Sequence, residues 1–204
     1  MEVMALLERA QSLKTRALTL TSQQKNEILD AMAQALERRT EEILAANRCD
    51  LQAARGHISE TMLVRLMLNP ARIQAMAQGL RALIALQDPI GAELSSVERP
   101  NGLMIRRVRV PMGVIAVIYE SRPNVTSDAA GLCLKSGNVC VLRGGREALA
   151  TNRAVVQALH DGLRCAGQPC ELVQLVEDTG REGALALMQA RGKVDLLIPR
   201  GGKG

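Results

Sequence analysis

Apolar residues in the first ninety positions recur at helical spacing. Met4, Leu7, Ala10 and Leu13 predict an opening helix, and Thr21 or Ser22 begins a second. Ile28, Leu29, Met32, Leu36, Ile43 and Leu44 carry that second stripe toward AANRCDLQAARG, where Gly56 marks its stop. Ser59 with Met62 opens a short helix. The segment NPARIQAMAQGLRALIALQDP has the clearest boundaries, with Asn69 as N-cap, Pro70 at the first helical position and Pro89 beyond the end. From Ile90 the pattern changes. ELSSVERPNGLMIRRVRVP reads as two strands about an Asn101-Gly102 turn, with Ile105, Val108 and Val110 among its apolar positions and Arg106, Arg107 and Arg109 on the wet face.

After Pro111 short apolar runs alternate with amphipathic segments: GVIAVIY, VTSDAAGLCLK, NVCVL, EALATNRAVVQALHDGLRCAG, ELVQLV, REGALALMQA and VDLLI. Strands this short and apolar, separated by helices, predict a parallel sheet covered on both faces. The expected fold class is α/β. A helical N-terminal region (1–90) and connecting hairpin strands (91–111) precede a Rossmann-like cofactor-binding region (112–204) that is incomplete at its C-terminal end.

Composition narrows the function classes. With 47% apolar residues but one Tyr and neither Phe nor Trp, the core must be aliphatic, and platforms for base stacking are lacking. The net charge of +5 comes from 26 Lys and Arg against 21 acids spread along the chain, so no basic patch marks a nucleic-acid partner. Cys49, Cys133, Cys140, Cys165 and Cys170 form no C-x-x-C pair, which argues against a zinc site or a disulfide framework. The first twenty residues carry charges throughout, and no run approaches a membrane span. Reduced thiols and the lack of a span point to the cytoplasm.

Ligands of open α/β sheets bind outside the carboxyl ends of the strands, which selects the loops ESRPN, RGGRE and PRGGKG. In the first, Arg122 is a fixed cation, Pro123 a stiff turn and Asn124 a neutral amide donor. An amide aimed at a carbonyl oxygen stabilises a tetrahedral intermediate; the same residue also suits a helix cap. The Arg-Gly-Gly loops pair exposed backbone N–H groups with a cation, as a phosphate requires, although an ordinary turn has the same composition. Neither loop fits G-x-G-x-x-G, and Lys203-Gly204 fails the Walker A pattern.

Taken together, PMGVIAVIYESRPNVTSDAAGLCLKSGNVCVLRGGREALATN, VDLLIPRGGKG and the N-terminal SQQKNEILDAMAQALE region closely resemble the gamma-glutamyl phosphate reductase family of the aldehyde dehydrogenase superfamily. The resemblance implies reduction of L-glutamyl 5-phosphate by NADPH to glutamate 5-semialdehyde, in proline biosynthesis. It places the oxyanion-stabilising amide on Asn124. It also implies a cofactor site at Arg143, Gly144, Gly145 and Glu147 near the adenosine and at Gly201 and Gly202 near the pyrophosphate. A guanidinium at 143 suits the 2′-phosphate of NADP.

The family's nucleophilic cysteine lies in a downstream domain, and none of the five cysteines here matches it. Cys133, Cys140, Cys165 and Cys170 read as packing residues, and His57 and His160 as surface or capping residues. Two functions follow: the cofactor-binding half of the reductase, inactive by itself, or a non-catalytic nucleotide-binding or assembly fragment. In either case the helical start and the hairpin offer surfaces for a homo-oligomer.

Overall fold

The computed structural model describes residues 2–201. Glu2–Ser12 (α1) buries Val3, Leu6, Leu7 and Ala10, an i, i+3, i+4, i+7 stripe, whereas Met4 lies outside it at 40% exposure. After Lys14–Leu18 (α2) comes Ser22–Arg38 (α3), opened by a reciprocal capping box between Thr21 and Gln24.

The helix expected to run to Gly56 is interrupted at Arg39, where φ −94° and ψ 16° leave the helical range, and Thr40–Ala54 (α4) follows. The Thr40 hydroxyl donates to the carbonyl of Glu37 at 2.8 Å, and the Arg39 side chain holds Asp161 at 2.5 Å and Glu42 at 2.6 Å. Local side-chain bonds to backbone carbonyls compete with helix continuation. The apolar spacing survives the break, so periodicity alone does not reveal it.

Glu60–Leu66 (α5) and Pro70–Ile84 (α6) begin as expected, with the side chains of Ser59 and Asn69 accepting the N–H groups of Met62 and Arg72. Buried Asn47 of α4 fastens the link between them. Its amide donates to the carbonyl of Leu66 at 2.9 Å and accepts the N–H of Leu68 at 2.8 Å.

Glu93–Glu98 (β1) and Met104–Val108 (β2) form an antiparallel ribbon about a turn in which Gly102 adopts φ +80°. The expected division into a wet and a dry face does not hold. Both faces are open, with Ile105 45% and Val108 44% exposed, because nothing among the described residues packs on either side.

Val114–Tyr119 (β3), Val139–Arg143 (β4), Val173–Leu175 (β5) and Leu196–Arg200 (β6) form a wholly parallel sheet in the order β5-β4-β3-β6. Asn124–Lys135 (α7) and Leu149–Cys165 (α8) connect the first three strands, and Arg181–Gln189 (α9) leads back to β6. Right-handed crossovers therefore place α7 and α8 on one face and α9, beside α1, on the other. Helices α3 and α6 pack over α7 and α8, so the helical start and the sheet share one aliphatic core. Strand order reverses between β3 and β6, and the crevice between their carboxyl ends is the topological switch point.

Candidate functional site

The loop after β3 leaves the sheet at Tyr119, whose hydroxyl lies 2.7 Å from that of Thr126, which in turn donates to Asn152 Oδ1 at 3.0 Å. This buried chain joins β3, α7 and α8, and burial pushes the Tyr119 hydroxyl pKa upward. It holds the frame from which ESRPN projects.

Pro123 already has helical backbone angles, and Asn124 is the first residue of α7. Its side chain makes no capping bond; Val125 and Thr126 bond instead to the carbonyls of Arg122 and Pro123. The Asn124 amide donates to Asp128 Oδ2, one turn on, at 3.0 Å. Burial raises the Asp128 carboxyl above the usual range, against lowering by the Asn124 bond and by Arg200. Asn124, Arg122 and Asp128 open onto a cavity of about 390 Å³ whose opposite wall, from α5 and α6, carries Arg65 and Arg72.

The loop after β4 packs tightly against the first. A Cβ on Gly144 would run into the Asn152 amide and come within 3.3 Å of the Tyr119 ring. One on Gly145 would lie 2.8 Å from Glu147 Oε2 and 3.3 Å from the Ser121 N–H nitrogen. The lack of a Cβ at both positions lets the two loops approach closely, and the hydroxyl of Ser121 joins them by donating to Glu147 at 3.1 Å. Glu147 also lines a cavity of about 290 Å³ with Asp50, His57 and Arg146.

Arg143 turns away from this junction. Its Nη2 donates to the carbonyls of Thr179 and Gly180, before α9, and its Nε is buried with no partner.

At the switch point, Gly201 sits so close to Glu120 that a Cβ would lie 3.0 Å from its Oε1. Tyr119, Glu120, Arg122, Arg200 and Gly201 line a cavity of about 320 Å³ that shares Arg65 and Arg122 with the Asn124 cavity. Gly202, expected near a cofactor pyrophosphate, lies outside the described residues, as do Lys203 and Gly204.

The structure thus gathers Ser121, Gly144, Gly145 and Glu147 at one junction and Gly201 at the switch point. Asn124 stands in a neighbouring cavity, and Arg143 reaches to a different loop. Sequence reading missed Arg65, Arg72 and Asp128, which no motif marks; only the position of Asp128 one helical turn from Asn124 offered a signal.

The packing assignment of the cysteines holds for buried Cys133 and Cys140, whereas Cys165 is exposed because it ends α8 on the outer side. His160, expected at the surface or as a cap, is half-buried. Its Nε2 lies 2.7 Å from the carbonyl of Val173 and links α8 to β5. Among the described residues, no His, Cys, Asp or Glu cluster is arranged to hold a metal, and no helix is long and apolar enough to cross a membrane.

The four-stranded parallel sheet carries three polar loops at its carboxyl edge, and the sequence matches the aldehyde dehydrogenase family over residues 1–201. The chain belongs to that family. Within it, the chain is 54% identical to the gamma-glutamyl phosphate reductase of Streptococcus pneumoniae over 197 residues, 97% of this chain and 47% of that protein. The crystal structure of gamma-glutamyl phosphate reductase from Thermotoga maritima superposes with a TM-score of 0.97 at 40% identity, covering 100% of this chain and 50% of that one. The Saccharomyces cerevisiae enzyme superposes with a TM-score of 0.90 at 28% identity, covering 100% and 52%. The chain spans about half the length of the relatives it matches.

Proposed function

We propose that this chain supplies the cofactor-binding frame and the oxyanion-stabilising amide for NADPH-dependent reduction of L-glutamyl 5-phosphate to L-glutamate 5-semialdehyde, a step of proline biosynthesis in the cytoplasm. The observation that carries the reading is that Asn124 opens into a cavity bordering the β3–β6 switch point. A neutral donor for a reacting carbonyl thereby stands beside the place where a parallel sheet of this order holds a dinucleotide.

The residues present fit such a cofactor. Arg143 Nε is a buried donor with no partner, as an anionic oxygen would require, and Glu147 offers a carboxylate for a ribose hydroxyl. Arg143, Gly144, Gly145 and Glu147 would hold its adenosine side, and Gly201 and Gly202 its pyrophosphate. When bound, NADPH supplies the hydride. An amide has two donor hydrogens; one on Asn124 is held by Asp128, which fixes the group and leaves the other to stabilise negative charge on a carbonyl oxygen.

None of the five cysteines lines the Asn124 cavity, so this chain's thiols do not carry the covalent step, and the isolated chain binds cofactor without turnover. The β1–β2 ribbon, which leaves Leu94, Val97, Met104, Ile105 and Val108 exposed among its polar residues, is assigned to contact with a second copy of the chain, since a lone two-stranded ribbon is marginal in water.

Fluorescence titration of the 204-residue chain with NADPH and NADH tests the central claim. Saturable binding that favours NADPH is expected. Absence of binding by either nucleotide would sink the reading.

A further inference from the structure

The Asn124 cavity has a wall chemistry that neither packing nor the cofactor explains. Three arginines, Arg65 on α5, Arg72 on α6 and Arg122 after β3, line one space of about 390 Å³. Arg72 is anchored, its Nη1 donating to the carbonyls of Val64 and Met67, so it supports the α5–α6 link while lining the cavity. Arg65 and Arg122 have no carboxylate partner among the described residues. The lone carboxylate on the wall is Asp128, which Asn124 already engages. Leu68 and Met76 supply an apolar floor between the charged sides.

Asn47 pins the α5–α6 link from the core, and with it the segment that carries Arg65 and Arg72 on one wall of the cavity. Guanidiniums present forked donors that match the oxygens of carboxylates and phosphates. The excess of positive charge suits a compound with net negative charge, and the apolar floor suits a short methylene chain.

We infer that this cavity is an oxyanion-recognition site in which Arg65, Arg72 and Arg122 hold a negatively charged end of a small acyl compound whose carbonyl lies at Asn124. The inference rests on the function proposed above and adds to it the residues that select the substrate. Both a carboxylate and a phosphate present this chemistry.

Calorimetric titration of the 204-residue chain with inorganic phosphate and, separately, with L-glutamine distinguishes the two ends. Phosphate reports a phosphoryl group, and glutamine an amino-acid carboxylate without the acyl phosphate. At least one probe should bind saturably. The double variant Arg65→Gln/Arg122→Gln should weaken that binding by about tenfold or more, on the scale of a lost charged hydrogen bond.

Both replaced side chains are exposed and unpaired, so the variant should unfold at the temperature of the parent. The pair Arg65→Lys/Arg122→Lys, which keeps the charge, should recover part of the affinity. Failure of both probes to bind, or equal binding by parent and Gln variant, overturns the inference. NADPH titration of the parent separates the two levels: if NADPH binds and neither probe does, the oxyanion site falls while the cofactor reading stands; if nothing binds, both fall.

Discussion

Replacing Arg143 by alanine separates two duties of one guanidinium. In the structure, Nη2 ties the end of β4 to the turn before α9 through the carbonyls of Thr179 and Gly180. Hydrogen bonds from a charged donor contribute about 1.5–3 kcal/mol each when shielded. Both acceptors are backbone carbonyls near the surface that water can satisfy once the side chain is gone, so the variant should lose roughly 1–2 kcal/mol of stability. The second duty is the 2′-phosphate proposed for the unpartnered side of the group. Loss of that contact should weaken NADPH by about 1.5–3 kcal/mol, or roughly 10- to 150-fold in Kd.

NADH lacks the 2′-phosphate and serves as an internal control for loop damage. Urea unfolding measures the first effect. Fluorescence titration with both nucleotides, at a temperature where both proteins are fully folded, measures the second. NADPH should weaken strongly while NADH stays within about twofold, well under 1 kcal/mol. Equal weakening of the two cofactors would mean that Arg143 acts only as a tether, and would refute the phosphate assignment.

Stability offers two further tests. Lys25 is 1% exposed and bonded to Asp88 at 2.9 Å, so Asp88→Asn leaves a buried ammonium uncompensated and should cost about 3–5 kcal/mol at neutral pH. Burial pushes the Asp88 carboxyl upward, but bonds from the Ile90 N–H, Lys25 and Ser22 outweigh it and hold the pKa below the ordinary range. The stability from that depressed pKa is present above the unfolded-state value and lost as the pH falls through the folded one, so the gap between parent and variant should narrow in acid. A gap independent of pH in urea unfolding would contradict this account. Gly162→Ala places a Cβ 2.5 Å from Met32 Cα and 2.6 Å from its nitrogen, where α8 crosses α3. Helix propensity favours alanine by about 1 kcal/mol, but overpacking against backbone costs about 1–3 kcal/mol or more, so net destabilisation in the same assay is expected, and a stabilised variant would refute the close crossing.

The sheet was legible because its strands are short apolar runs bounded by polar loops, a pattern that depends on burial from both faces. The N-caps at Thr21, Ser59 and Asn69 were legible because capping is local chemistry. Two features were not. The break at Arg39 depends on Asp161, far along the chain, and on a threonine hydroxyl that competes for carbonyls without disturbing the apolar stripe. The ribbon at 93–108 has strand spacing that suggests an inner face, yet burial of that face requires a partner surface, which local spacing does not encode.

The site divides along the same line. Strand ends can be read from sequence, so the loops holding Asn124, Gly144, Gly145, Glu147 and Gly201 could be named before their positions were known. The groups that give those loops a chemical environment come from elsewhere. Ser121 meets Glu147 across the junction of two loops, Arg143 is claimed by the turn before α9, and Asn124 faces arginines from α5 and α6. Nothing in ETMLVRL or NPAR marks Arg65 or Arg72 as facing a cavity, because their placement follows from Asn47 fastening the link between those helices. The sheet therefore sets where the loops stand, while the helical region contributes two of the three arginines that share a cavity with Asn124.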